Sequence, residues 1–175
     1  SLGKSLSMRK GEIVSVGYSA KPRPLEGSYM PCFLVGEAIA LFISASLSAP
    51  AFPFSHQEGH IAAAAYSACR SNGLDFREFL KRPFLSFHVS GGTFDLLSVE
   101  PDPDRIFTVR RVGGSKDASA GQIIDRTGVR LGIGFPCGTE MDRLALEYKG
   151  TVKHDGVSVD GLYCNISGLE NKAIE

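Results

Sequence analysis

Tryptophan is absent from the 175 residues, methionine occurs 3 times and cysteine 4 times, and 19 basic side chains balance 19 acidic ones. The lack of net charge argues against a chain that coats nucleic acid or a membrane surface, while leaving room for a local basic patch. Cys32, Cys69, Cys137 and Cys164 are irregularly spaced and include no C-x-x-C pair. That excludes a disulfide scaffold and a cysteine-rich zinc site, and fits a reducing cytoplasm. The longest apolar run, Cys32 to Leu47, is broken by Gly36 and Glu37, so no membrane span is expected. The N-terminus lacks the basic-then-apolar order of a signal peptide, and residues 1–10 read as a tail. Neither an internal repeat nor a low-complexity tract occurs. With 43% hydrophobic residues, 20 glycines and 9 prolines, the composition is that of a globular protein with one domain, or one and a piece.

What is present alternates between two periodicities. Ile13 to Tyr18 reads as a strand, followed by a turn-rich loop from Lys21 to Ser28. Pro31 to Ser48 reads as a helix, with Phe33, Leu34, Ala38, Leu41, Phe42 and Ala45 recurring near a 3.6 period. Ala51 to Phe54 reads as a short buried strand and Ser55 to Arg70 as an alanine-rich helix. Phe84 to Val89 and Phe94 to Val99 flank Ser90-Gly91-Gly92-Thr93 as a hairpin, and Ile106 to Val112 adds a third strand. Asp117 to Leu131 and Thr139 to Tyr148 are helical in pattern, Val157 to Ile166 is weakly β, and Ser167 to Glu175 opens another helix. The order predicts an α/β fold with a mixed sheet flanked by helices.

Three local patterns could carry chemistry. In Ser55-His56-Gln57-Glu58-Gly59-His60, Ser55 and Glu58 have the spacing of a capping box, which predicts a helix starting at His56. His56 and His60 then share one face of the first turn and could hold one divalent metal with a ligand from elsewhere. The same spacing also suits two polar residues at an exposed helix start. A zincin is excluded, because Gln57 stands where that motif needs the water-activating glutamate. The second pattern is Val89-Ser90-Gly91-Gly92-Thr93, a glycine turn whose backbone N–H groups could approach a phosphate, or a plain hairpin turn. His88 before it reads as a packed strand residue. The third is Ala120-Gly121-Gln122-Ile123-Ile124-Asp125 with Pro136-Cys137-Gly138 beyond it. Asp125 could accept from ribose hydroxyls, and Gly138, opening a helix, would let backbone approach a nucleotide; a solvated Asp and a helix-boundary Gly read equally well. Arg105, Arg110, Arg111 and Lys116 form a basic cluster, either a phosphate contact or a solvated face.

In order and spacing these patterns resemble the TsaD/Gcp family, once called O-sialoglycoprotein endopeptidases, of the actin-like ATPase (ribonuclease H-like) superfamily. The family's H-x-E-G-H appears as His56 to His60, its V-S-G-G as Val89 to Gly92, its A-G-E-A-F-D as Ala120 to Asp125, and its P-G-G as Pro136 to Gly138. Its G-L-x-F-S-F-S-G-L appears as Gly161 to Leu169, and its L-L-V-G as Phe33 to Gly36. The resemblance implies residues 11–175 as the central portion of a longer family fold. It implies transfer of a threonylcarbamoyl group, from threonylcarbamoyl-adenylate, to the N6 amine of the tRNA adenosine beside the anticodon.

His56 and His60 would by resemblance bind iron or zinc, with the third ligand outside this chain. Val89, Ser90, Gly91, Gly92 and Thr93 would cradle the phosphate and carbamoyl end. Asp125 and Gly138 would hold the adenylate or an ATP-type ligand. Departures fall at Thr93, Ala118, Gln122 and Cys137, which points to a divergent paralogue. The isolated chain is expected to bind metal weakly and to turn nothing over. An alternative is a non-catalytic scaffold that dimerises, with itself or with a TsaB-like sibling, through the Pro31 to Ser48 helix. The peptidase of the old family name ranks below both, and so does a sugar or acetate kinase.

Overall fold

The computed structural model describes residues 13–151 and 156–173. The tail read over residues 1–10 and the last two residues of the C-terminal helix lie outside the described residues. The chain divides into two compact units, up to Gly73 and from Leu74 onward.

In the first unit, β1 (Val16–Lys21) and β2 (Ala51–Ser55) pair in parallel, with Val16 opposite Ala51 and Lys21 opposite Ser55. Parallel neighbours need a crossover, and α1 (Cys32–Leu47) supplies it. The register places β1 three residues later than the sequence reading. Only Ala40 is fully buried within α1, while Leu34, Ala38, Leu41, Phe42 and Ala45 are exposed. The expected core face is therefore corrected. The sheet-facing residues are Phe33, Glu37, Ala40, Ile43 and Ser44, and Glu37 accepts from the Tyr18 hydroxyl at 3.4 Å. A helix apolar around its whole circumference has no single face for periodicity to select. β2 likewise is not the buried strand expected, since Phe52 and Pro53 are exposed.

α2 (His56–Ser71) follows β2 without a loop. Its start is tied to the loop after β1, because the Gln57 N–H donates to the Pro22 carbonyl at 3.1 Å.

The second unit opens with α3 (Phe76–Phe79), a single turn capped by Asp75, whose carboxylate accepts from the Glu78 N–H at 2.9 Å. It then builds a five-stranded mixed sheet in the order β3-β4-β5-β7-β6. β3 (Phe84–Val89), β4 (Phe94–Asp102) and β5 (Ile106–Ser115) form an antiparallel meander. β7 (Tyr163–Asn165) joins β5 in parallel, and β6 (Ser158–Asp160) closes the edge. α4 (Ala120–Arg130), α5 (Gly138–Glu147) and α6 (Gly168–Lys172) complete the unit. The core centres on Leu97 and Val99 of β4, with Leu96, Phe107, Ile123 and Ile166 around them. In β3 the apolar residues Leu85, Phe87 and Val89 are exposed, while Ser86 and His88 lie on the half-buried face. His88 is thus only half-packed. Among the described residues no helix is long and apolar enough to cross a membrane.

Candidate functional site

The start of α2 is built as the sequence predicts. The Glu58 N–H donates to Ser55 Oγ at 3.2 Å, and the Ser55 N–H donates to Glu58 Oε2 at 2.6 Å. Both residues are buried, so the glutamate of the H-x-E-G-H pattern is used up in holding the helix end. His56 and His60 are exposed on the opposite face of that turn. Their Nε2 atoms lie 2.9 Å apart, with the rings edge to face at 4.3 Å between centroids. The Phe33 ring stands 5.8 Å from that of His56.

Two imidazole ligands of one zinc ion would hold their nitrogens about 3.3 Å apart, from bonds of about 2.0–2.1 Å at a tetrahedral angle. At 2.9 Å the two Nε2 atoms are within hydrogen-bond distance of each other and closer than that spacing, so the donor set offers two ligands of a metal site once that contact opens. Among the described residues no cluster of three or more His, Cys, Asp or Glu could hold a metal ion.

In the second unit the glycine turn and the start of α4 are brought together. The Ser90 N–H donates to the Thr93 carbonyl at 2.8 Å and closes the turn. The Gly121 N–H donates to the Ser90 carbonyl at 3.3 Å, and the Ser119 hydroxyl donates to the Gly91 carbonyl. A Cβ on Gly121 would overlap the Gly91 backbone, so glycine is required for this approach. The turn's carbonyls are thereby held from below, and Gly91 and Gly92 remain exposed above.

Ser119 also caps α4 with Gln122: the Ser119 N–H donates to Gln122 Oε1 at 3.1 Å, and the Gln122 N–H returns to Ser119 Oγ at 3.4 Å. Glutamine completes a capping box as glutamate would, so the departure at Gln122 preserves the helix end. The helix starts at Ala120 rather than Asp117.

Asp125 is half-buried, and its Oδ1 accepts from the Cys137 N–H at 2.8 Å, which joins two of the predicted site segments. Burial pushes the Cys137 thiol pKa up, and the Asp125 charge adds to the effect. The thiol packs where a Cβ on Gly128 would clash. Gly138, next in sequence, is exposed at the first position of α5. Asp125 lines a concavity of about 470 Å³ with Arg126, Val129, Arg130 and Glu170. There the buried Glu170 pairs with Arg130 at 3.1 Å and Arg126 at 3.8 Å.

The sequence reading missed Asp117. Its carboxylate accepts from the Ile166 N–H at 2.9 Å, the Ser167 N–H at 3.1 Å and the Ser115 hydroxyl at 2.9 Å, as well as from the Ser167 hydroxyl. These bonds, the Ser167 hydroxyl foremost, hold the carboxyl well below the usual range. The available signal was an aspartate two residues ahead of a serine N-cap, a loop position. Reading it as helix hid it.

The basic cluster is largely answered by acids. Arg111 Nε lies 2.6 Å from Asp95, Lys116 Nζ 2.6 Å from Asp160, and Arg110 4.0 Å from Glu100. Arg111 and Lys116 also lie over the Tyr163 ring, at 5.4 and 5.6 Å. A solvated face, rather than a phosphate platform, is what this arrangement describes.

The segments that carry the histidine pair, the glycine turn and Asp125 with Cys137 all lie within the match to one sequence family. The sequence model of the tRNA N6-adenosine threonylcarbamoyltransferase (TsaD) family matches residues 4–175.

The chain belongs to the TsaD family.

TsaD proteins have the actin-like ATPase fold, and the mixed sheet flanked by helices agrees with it. Among relatives named tRNA N6-adenosine threonylcarbamoyltransferase, that of Syntrophobacter fumaroxidans is 37% identical over 112 residues, which are 64% of this chain and 29% of that protein. That of a Thermus thermophilus strain is 33% identical over 143 residues, 81% of this chain and 40% of the relative. That of a Sulfurihydrogenibium species is 33% identical over 134 residues, 72% of this chain and 34% of the relative. The chain thus spans between 29% and 40% of the length of these TsaD relatives.

Proposed function

We propose that this chain supplies part of a tRNA N6-adenosine threonylcarbamoyltransferase, and that it does not turn over alone. The observation that carries the reading is the histidine pair. Its two ring nitrogens converge at 2.9 Å on an exposed helix face, while the intervening Glu58 is buried as a cap. His56 and His60 would hold iron or zinc together with a ligand outside the described residues. A metal bound there would supply a Lewis acid.

The chain's own residues would bind and orient. The exposed Gly91 and Gly92, with Ser90 and Thr93 beside them and Val89 leading in, would receive the phosphate and carbamoyl end on backbone N–H groups. Because Ser119 and Gly121 hold the turn's carbonyls, this backbone is ordered before any ligand arrives. Asp125, steadied by the Cys137 N–H, would accept from a ribose hydroxyl of an adenylate or ATP-type ligand, with the Gly138 backbone alongside. The tRNA is the acceptor on this reading, and the compartment is the cytoplasm.

Zinc titration and a transfer assay with tRNA test the reading. The expected results are weak zinc binding that His56→Ala and His60→Ala each abolish, and no transfer without the remainder of the family fold. Submicromolar zinc affinity or transfer by this chain alone would overturn the dependence on further ligands. Zinc binding indifferent to both substitutions would sink the ligand assignment.

One further observation bears on partners. Leu34, Val35, Leu41 and Phe42 leave an apolar face of α1 exposed, Phe42 by 73%. A second copy, or a TsaB-like sibling, would cover it. Leu41→Glu or Phe42→Glu would then abolish a dimer seen by sedimentation, whereas an unchanged dimer would exclude this face.

A further inference from the structure

We infer that the second unit carries a binding pocket for an apolar monoanion, an aliphatic or aromatic carboxylate, between α3 and the β4–β5 turn. The pocket has a volume of about 790 Å³. That lies in the range of small-molecule sites, which are mainly apolar with a few oriented polar groups. Phe76 and Leu80 form one wall, and Pro101, Pro103 and Ile106 form the other.

Two independent features point to a ligand. The first is backbone strain. Ile106 has φ of 72°, in the left-handed region that a β-branched residue rarely enters. It follows a tight turn in which Asp102 Oδ1 accepts from the Asp104 and Arg105 N–H groups at 3.0 and 2.8 Å. Glycine or asparagine is the ordinary occupant of such a position. The isoleucine side chain is 57% exposed, so it gains little burial within the unit to offset the strain. Strain held without an internal return is a feature of ligand-contacting positions.

The second feature is the sign of the rim. Three charged residues border the apolar walls: Arg77, Lys81 and Asp102. Oδ1 of Asp102 is held by two N–H groups of its own turn, and Lys81 is engaged by Glu78 at 2.6 Å. Among the described residues Arg77 has no ion pair. An exposed guanidinium beside an apolar cavity selects a carboxylate carried on a hydrophobic body.

The test is calorimetric titration of the 175-residue chain with octanoate and, separately, with 1-octanol. Octanoate is expected to bind once per chain, about fivefold more tightly than the alcohol. Arg77→Gln, a change at an exposed position, should bring the two ligands to equal affinity. Ile106→Asn should weaken octanoate about tenfold while leaving the melting temperature unchanged or raised, because asparagine tolerates this backbone and removes the apolar wall. A loss of binding without a loss of folding separates a ligand contact from a structural role. Absence of saturable octanoate binding overturns the proposal. So does an octanoate preference that survives Arg77→Gln, or octanoate affinity that Ile106→Asn leaves intact.

Discussion

Asp117 and Ser167 stand 50 residues apart in sequence, yet the Ser167 N–H donates to the Asp117 carboxylate at 3.1 Å. With the bonds from Ile166 and Ser115, this one side chain fastens the approach to α4 to the approach to α6. Its consequence is a pH dependence. A carboxyl whose folded pKa lies below its unfolded value of about 3.9 adds stability at neutral pH. That contribution fades as pH falls below the unfolded value toward the folded one. Asp117→Asn should therefore be less stable than the parent chain at pH 7, by about 1 kcal/mol because solvent reaches the carboxylate. The gap should narrow as pH falls from roughly 5 to 2. Urea unfolding across that range measures it, and a constant gap would refute the linkage.

The contact between Gly121 and Gly91 leaves no room for a Cβ. Gly121→Ala should push the glycine turn away from α4 and destabilise the second unit by about 1–3 kcal/mol. Gly92→Ala, where an added Cβ meets nothing within 4 Å, should be close to neutral. Thermal unfolding of the two variants side by side checks the contrast. Equal melting temperatures would contradict the packing described for the turn.

The capping box at α2 is expected to support the histidine pair indirectly. Ser55→Ala removes the acceptor for the Glu58 N–H and should cost about 1 kcal/mol. If the helix start orients His56 and His60, zinc affinity should fall in parallel while Ser55→Thr restores both. Zinc titration of the three proteins reads the outcome; unchanged affinity in Ser55→Ala would show that the cap does not set the ring positions.

The four thiols should divide by burial. Cys32 is exposed and Cys164 half-buried, whereas Cys69 and Cys137 are buried. At pH 8 a disulfide reagent should modify Cys32 first, and Cys32→Ser should remove that fast phase. Cys137 should react only on unfolding, since burial and the neighbouring Asp125 both hold its thiol protonated. Rapid labelling of Cys137 in the native chain would be inconsistent with its position against Gly128.

Some of this protein is legible residue by residue. The capping box at Ser55 and Glu58, the hairpin around Ser90 to Thr93 and the placement of both histidines on one turn follow from short-range rules, because each depends on residues within a few positions of one another. Ser119 and Gln122 obey the same rule, but taking Asp117 as helical obscured their cap. The single turn of α3 is too short for any periodicity to register. Its Asp75 and Glu78 were the only signal.

By itself the sequence determined the order of the longer strands and helices, the family motifs and the cap of α2, all set by propensity and spacing along the chain. Tertiary structure alone decided which face of α1 meets the sheet, because an all-round apolar helix takes its orientation from its neighbours. It also shifted β1 to the register that β2 selects and put the acidic partners beside Arg111 and Lys116. Asp125 was brought to the Cys137 N–H and Asp117 to Ser167 in the same way. Those pairings join residues that lie between 12 and 50 positions apart, and such contacts exist only once the intervening chain has folded back on itself.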